Sequence, residues 1–187
     1  MEAFLVSLST VALAEMGDRT QLLSLLLAAH YRRPWPILAG VLVATLANHA
    51  LAGLIGVWFG KLLTPAVLDA VVGVSMLAMA LWTLRPDRLD GAGALGRRGV
   101  FLATVIAFFI AEIGDKTQVA TVALAAGYSS LGAVVAGTTT GMLIANAPAV
   151  FMGHAFAERL PVKAIHLGAA VLFAALGALF VARALMG

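Results

Sequence analysis

Four carboxylic acids in this chain stand where acids are expensive. Glu15 and Asp18 lie in "AEMGDRTQ", residues 14–21, with "FLVSLSTVALA" leading into it and "LLSLLLAA" following; Glu112 and Asp115 lie in "AEIGDKTQ", residues 111–118, in a similar setting. A charged side chain at the centre of a bilayer costs about 2.5–3.5 kcal/mol on insertion scales, so such groups face one another or water. Read on a helix, the spacing of three puts each acid pair on one face. Two such helices side by side would gather all four carboxylates near mid-membrane as an oxygen-rich cage. Gly17 and Gly114, between the acids, would let the helices approach closely or open locally to expose backbone carbonyls.

Against the four acids stand Arg19 and Lys116. The remainder is a formal charge of −2, which one divalent cation would cancel. With no cysteine in the chain, the available ligands are hard oxygens, which favour Mn²⁺, Ca²⁺ or Mg²⁺ over zinc or copper. Mg²⁺ dehydrates reluctantly, so a tight protein cage suits it less. Thr20, Thr117, Gln21 and Gln118 are candidates to orient the carboxylates or, equally, to bond to the helix backbone. Carboxylates crowded in a dry site hold protons tightly, because desolvation and like charge both disfavour the ionised form. Metal and protons then compete for the same oxygens, which is the physical basis of an antiporter. Arg19 and Lys116 would act as tethered counter-ions filling the cage between cargoes, or would neutralise charge during helix insertion. The plainer reading pairs Glu15 or Asp18 with Lys116 and Glu112 or Asp115 with Arg19, as pins for the bundle. Duplication of the motif and its excess of acid weigh against pins alone.

Asn48, His49 and Asn146 fall in corresponding regions of the two halves. Interhelical hydrogen bonding is their default role, and a carbonyl ligand from Asn48 or Asn146 the sharper one. His30, His154 and His166 fall near span ends, where interfacial solvation accounts for them. Met76 and Met79 read as packing residues.

The elements that must carry these groups follow from composition. Hydrophobic residues make up 62% of the 187 positions and charged residues 11%, against roughly 45–50% and about 25% in a soluble domain. A soluble globule could not cover so much apolar surface, so the expected fold class is an all-α integral membrane protein. Six stretches are long enough to cross a bilayer, at about 4–29, 37–59, 66–84, 100–126, 131–157 and 163–184. The first lacks a basic leader and is broken by Glu15 and Asp18, and so reads as a retained helix and not a signal peptide. Trp35, Trp58 and Trp82 fall near predicted ends, as interfacial anchors do.

A shift of 97 residues superposes the two motifs with six of eight positions identical, and also aligns Tyr31 with Tyr128, Gly40 with Gly137 and Gly56 with Gly153. This is an internal duplication: residues 1–84 form one three-helix repeat, 85–99 a connecting loop and 100–187 the second repeat. An odd number of spans per half makes the repeats inverted. Arg32, Arg33, Arg85, Arg88, Arg97, Arg98, Arg159 and Lys163 fall on one side, Lys61 and Arg183 on the other. The positive-inside rule makes the first side, including the loop, cytoplasmic and puts both termini outside, with a bacterial inner membrane the expected location. Basic residues confined to these loops form no nucleic-acid face. The expected partners are the bilayer and a divalent metal ion, with no cofactor; the pseudo-symmetric chain is a monomer or a homodimer.

E-x-G-D-[KR]-T, occurring twice, each time in the first helix of a three-helix apolar half, resembles the Gdt/MneA family of membrane cation/proton exchangers. The resemblance covers nearly the whole chain. It implies export of Mn²⁺, or Ca²⁺ as in some eukaryotic members, against protons, with Glu15, Asp18, Glu112 and Asp115 as the binding site. Arg19 stands where the commoner family residue is Lys, which Lys116 retains. Two rivals remain on residue type. One is a passive cation channel. The other is an intramembrane aspartyl protease with Asp18 and Asp115 as its dyad, but Glu15 and Glu112 occupy the position where that motif needs Gly, and its Tyr-Asp partner is missing.

Overall fold

The computed structural model describes residues 1–84, 99–152 and 162–186. The connecting segment 85–98 lies outside the described residues, as do Gly153, His154 and Arg159 and with them the expected end of the fifth span. Every element among the described residues is helical: α1 (Glu2–Glu15), α2 (Arg19–Tyr31), α3 (Pro34–Leu62), α4 (Pro65–Thr83), α5 (Val100–Glu112), α6 (Lys116–Gly127), α7 (Leu131–Met152) and α8 (Val162–Met186). Helices α3, α4, α7 and the His166–Met186 part of α8 are each long and apolar enough to cross a membrane.

The first and fourth stretches depart from the expected continuous helices. Each is two helices, broken inside the motif. Gly17 and Gly114 take φ of 82° and 73°, a left-handed conformation that costs a residue with a side chain about 1–2 kcal/mol. The next residue in each half, Asp18 or Asp115, is extended and caps the following helix. The acids therefore do not share one helix face. Each Glu ends a helix and each Asp begins the next.

Polarity is distributed inside out. Glu15, Asp18, Glu112, Asp115 and Lys116 are all buried, while Leu46, Leu54, Val74, Leu81, Leu167 and Val171 are exposed. Water would penalise that outer surface; lipid does not, and this is an all-α membrane protein.

Packing is reciprocal between the halves. Helices α1 and α2 lie against α7, α5 and α6 lie against α3, and α4 lies against α8. Small residues permit it: a Cβ added at Gly137 would stand 2.4 Å from the Phe4 carbonyl and 2.9 Å from Ser7 Cβ, and one at Gly40 would stand 3.0 Å from the Phe101 carbonyl and 2.6 Å from Thr104 Cβ. These are the same contacts shifted by 97 residues with the halves exchanged. Met76 and Met79 sit in the apolar core with Phe173, Phe180 and Leu124, the packing role expected of them.

Candidate functional site

Each motif is a helix end, a turn and a helix start, held by its own side chains. The Asp18 and Asp115 amides donate to the carbonyls of Glu15 and Glu112, both at 3.0 Å. The Gly17 amide donates to Gln21 Oε1 at 2.9 Å, and the Gly114 amide to Gln118 Oε1 at 2.8 Å. Asp18 Oδ1 accepts from the Arg19 amide at 2.8 Å, while Asp115 Oδ2 accepts from the Thr117 amide at 3.4 Å and hydroxyl at 3.0 Å. An Asp cap with Gln three residues on satisfies donors that a helix start leaves open, as a capping box does. "DRTQ" and "DKTQ" carry this signal in the sequence, and the continuous-helix reading passed over it.

The two breaks meet. Arg19 Nη2 lies 3.0 Å from Asp115 Oδ1, and Lys116 Nζ lies 3.1 Å from Asp18 Oδ2. Both ion pairs cross between the halves, as the pinning reading required and as tethered counter-ions would also require. Lys116 is wholly buried, whereas Arg19 keeps 30% of its side-chain surface exposed. One oxygen from each of Glu15, Asp18 and Asp115 lies within 4.8 Å of the others, all three residues being buried. Thr20 donates its hydroxyl to Glu15 Oε2, and Glu15 Oε1 has no hydrogen-bond partner among the described residues.

Glu112 falls outside this triad. Its Oε1 accepts from the Thr45 hydroxyl at 2.6 Å, and its Oε2 from Asn48 Nδ2 at 3.1 Å. Both donors come from α3, one turn apart. The positions on α7 that correspond by the 97-residue shift are Met142 and Ala145, which offer Glu15 no such side-chain donors. The duplicated acids thus stand in different surroundings, three gathered and one held in a cradle of donors.

The supporting residues divide. Thr20, Thr117 and Asn48 reach carboxylates. Gln21 and Gln118 bond to backbone at the breaks, and Gln21 Nε2 also donates to the Ala145 carbonyl of α7 at 2.8 Å. Asn146 accepts from Ser24 at 2.7 Å and donates to the Met142 carbonyl at 3.0 Å, so it serves the interhelical bond and reaches none of the acids. His49 is buried, with neither ring nitrogen hydrogen-bonded among the described residues. His30 is exposed as expected; His166 is buried, contrary to the solvated reading. Sequence reasoning missed Thr45 and Ser24. The i, i+3 spacing of Thr45 with Asn48, and of Gln21 with Ser24, was the available signal.

The chain matches the family model described as "Divalent cation/proton antiporter GDT1" over residues 3–91 and 100–187. It is 53% identical over 174 residues to a Vibrio cholerae protein named "Putative manganese exporter", covering 92% of this chain and 87% of that one. It is 30% identical over 194 residues to a GDT1-like protein of Synechocystis, covering 92% and 93%. An Arabidopsis thaliana protein, "GDT1-like protein 5", is 24% identical over 216 residues, covering 95% and 94%. No solved structure matches.

Proposed function

Because this chain belongs to the GDT1 family of divalent cation/proton antiporters, it is a membrane cation transporter and not an enzyme, and we propose that it exports Mn²⁺ in exchange for protons through the acids of its two motifs. Glu15, Asp18 and Asp115 are the first ligands. Glu112 joins them when it leaves Thr45 and Asn48. Arg19 and Lys116 hold the aspartates between cargoes and swing aside when the dication enters. Protons returning to the same oxygens expel the metal, since one carboxylate oxygen cannot serve both. The observation that carries this reading is the buried triad, with a Glu15 oxygen that no donor among the described residues engages.

Hard oxygen donors suit Mn²⁺ and Ca²⁺ alike. The name carried by the Vibrio relative favours Mn²⁺. The protein has six spans as two inverted repeats, 1–84 and 100–187, joined by 85–99, with α1 and α2 together making the first span and α5 and α6 the fourth. Reciprocal packing of α1 on α7 and α5 on α3 supports this arrangement. So do the paired breaks, because discontinuous helices meeting at a repeat interface are a common way to build a transport site. Both termini face outward from a bacterial inner membrane.

Proteoliposomes loaded with a metal-sensitive dye test the exchange. An imposed proton gradient should drive Mn²⁺ uphill, and Glu15→Gln or Asp115→Asn should abolish the uptake while the protein remains folded in detergent. Mn²⁺ that only runs downhill, whatever the proton gradient, would make the protein a channel. Undiminished uptake by both variants would remove the acids from the pathway.

A further inference from the structure

A cavity lies away from the acids, at the C-terminal ends of α2 and α7. It has a volume of about 380 Å³, and its lining joins the apolar Leu25, Ala28, Val150 and Phe151 to the exposed Arg32 and Arg33. That volume lies within the range of small-molecule pockets, roughly 300–1,000 Å³. Two features of these arginines ask for a ligand. No ion pair among the described residues engages Arg32 or Arg33. Arg32 is also the one residue other than glycine with positive φ among the described residues, at 53° as it caps α2. Glycine would occupy that left-handed position without strain, so the chain keeps a guanidinium there at a conformational cost. The duplication does not explain it. The corresponding residues of the second half are Ser129 and Ser130, and α6 there ends on an extended Tyr128.

Depth identifies the ligand. Trp35, 72% exposed, makes an edge-on contact with Phe151 at 5.5 Å between ring centroids, and exposed tryptophans of membrane proteins collect at the headgroup level. With Trp35 at headgroup level, the cavity beside it would lie at the interface, its two guanidiniums within reach of phosphates and its apolar residues within reach of the first acyl methylenes. Guanidinium matches the phosphate fork, and basic pockets between membrane helices take anionic lipid headgroups. A soluble anion would use the arginines and leave the apolar residues uncovered. We infer that this cavity binds an anionic phospholipid, its phosphate on Arg32 and Arg33 and its first acyl methylenes against Leu25, Ala28, Val150 and Phe151.

The test uses the full-length protein in nanodiscs of phosphatidylcholine with and without phosphatidylglycerol, reading retained lipid by native mass spectrometry after transfer to detergent. Phosphatidylglycerol should be retained in preference to phosphatidylcholine. The double variant Arg32→Gln/Arg33→Gln should weaken that retention by about thirtyfold, with Mn²⁺-dependent thermal stabilisation unchanged. Ala29→Trp, which fills the cavity and keeps both arginines, should lose the lipid as well. Equal retention of the two lipids, or full retention by either variant, overturns the inference. Displacement of phosphatidylglycerol by millimolar glycerol 3-phosphate or inorganic phosphate would make the ligand a soluble anion and likewise overturn it.

Discussion

Lys116 is the residue on which the two readings of the ion pairs divide. Wholly buried and 3.1 Å from Asp18, it is either a permanent pin or a counter-ion that cargo displaces. Removing one partner of a buried pair strands the other charge, at about 3–5 kcal/mol. Lys116→Gln should therefore lower the melting temperature of the metal-free protein. If Lys116 competes with cargo, the variant should also regain stability in Mn²⁺ and bind it more tightly than the parent chain. Isothermal titration and melting curves across a Mn²⁺ series check this; a variant that Mn²⁺ stabilises no better than the parent would make Lys116 a pin. Arg19→Gln also strands a buried partner, Asp115, but the Thr117 amide and hydroxyl still donate to that carboxylate, so this variant should lose less stability. The acids and their excess over bases were legible as residue types at a repeated spacing. Pairing of each cation with the opposite motif was also legible, but the choice of Asp over Glu as its partner was not, because it depends on distances between segments far apart in the chain.

At the scale of elements, apolar run length predicted single helices through both motifs, and local chemistry overrode it. Glycine at positive φ followed by an aspartate cap stops one helix and starts another, and a run-length criterion does not see this. Close approach was more legible, since Gly40 and Gly137 are equivalent by the repeat and both meet the broken helix of the other half. Helix α7 adds an irregularity of its own. Pro148 inside it removes a ladder donor and crowds the carbonyl four residues earlier, next to the Ala145 carbonyl that Gln21 grips. Contact between α3 and α6 depends on Gly56, where an added Cβ would stand 2.3 Å from the Val122 carbonyl. Gly56→Ala should cost about 1–3 kcal/mol as overpacking does, whereas Gly132→Ala, with open space around the new methyl, should be neutral or stabilising. Thermal melts in detergent compare the two, and equal effects would contradict the tight approach of α3 to α6.

For the whole molecule, the question is how the chain threads the membrane. Because the chain has no cysteine, single introduced thiols report sidedness cleanly. The inverted arrangement requires Lys61→Cys and Ser129→Cys to react with an impermeant maleimide on intact cells, and Ala92→Cys to react only after permeabilisation. Labelling of all three from one side would rule out the six-span threading, and the reverse pattern would invert the orientation. Near-identity of the motifs suggested a symmetric four-acid cage. The folded chain differentiates the acids instead, because Thr45 and Asn48 on α3 have Met142 and Ala145 as their counterparts on α7.

By itself the sequence determined that this is a helical membrane protein with a duplicated acidic motif, whose acids outnumber its bases and offer hard oxygen donors. Those properties follow from composition, periodicity and residue type, which are local or additive. Only the tertiary structure decided that the motif helices break, that each cation meets the Asp and not the Glu of the opposite motif, and that Glu15, Asp18 and Asp115 gather while Glu112 stands in its own cradle. Each of these depends on which backbone carries which donor to within about 3 Å of an acceptor, the range of a hydrogen bond. Sequence spacing does not fix such distances between segments that are remote along the chain.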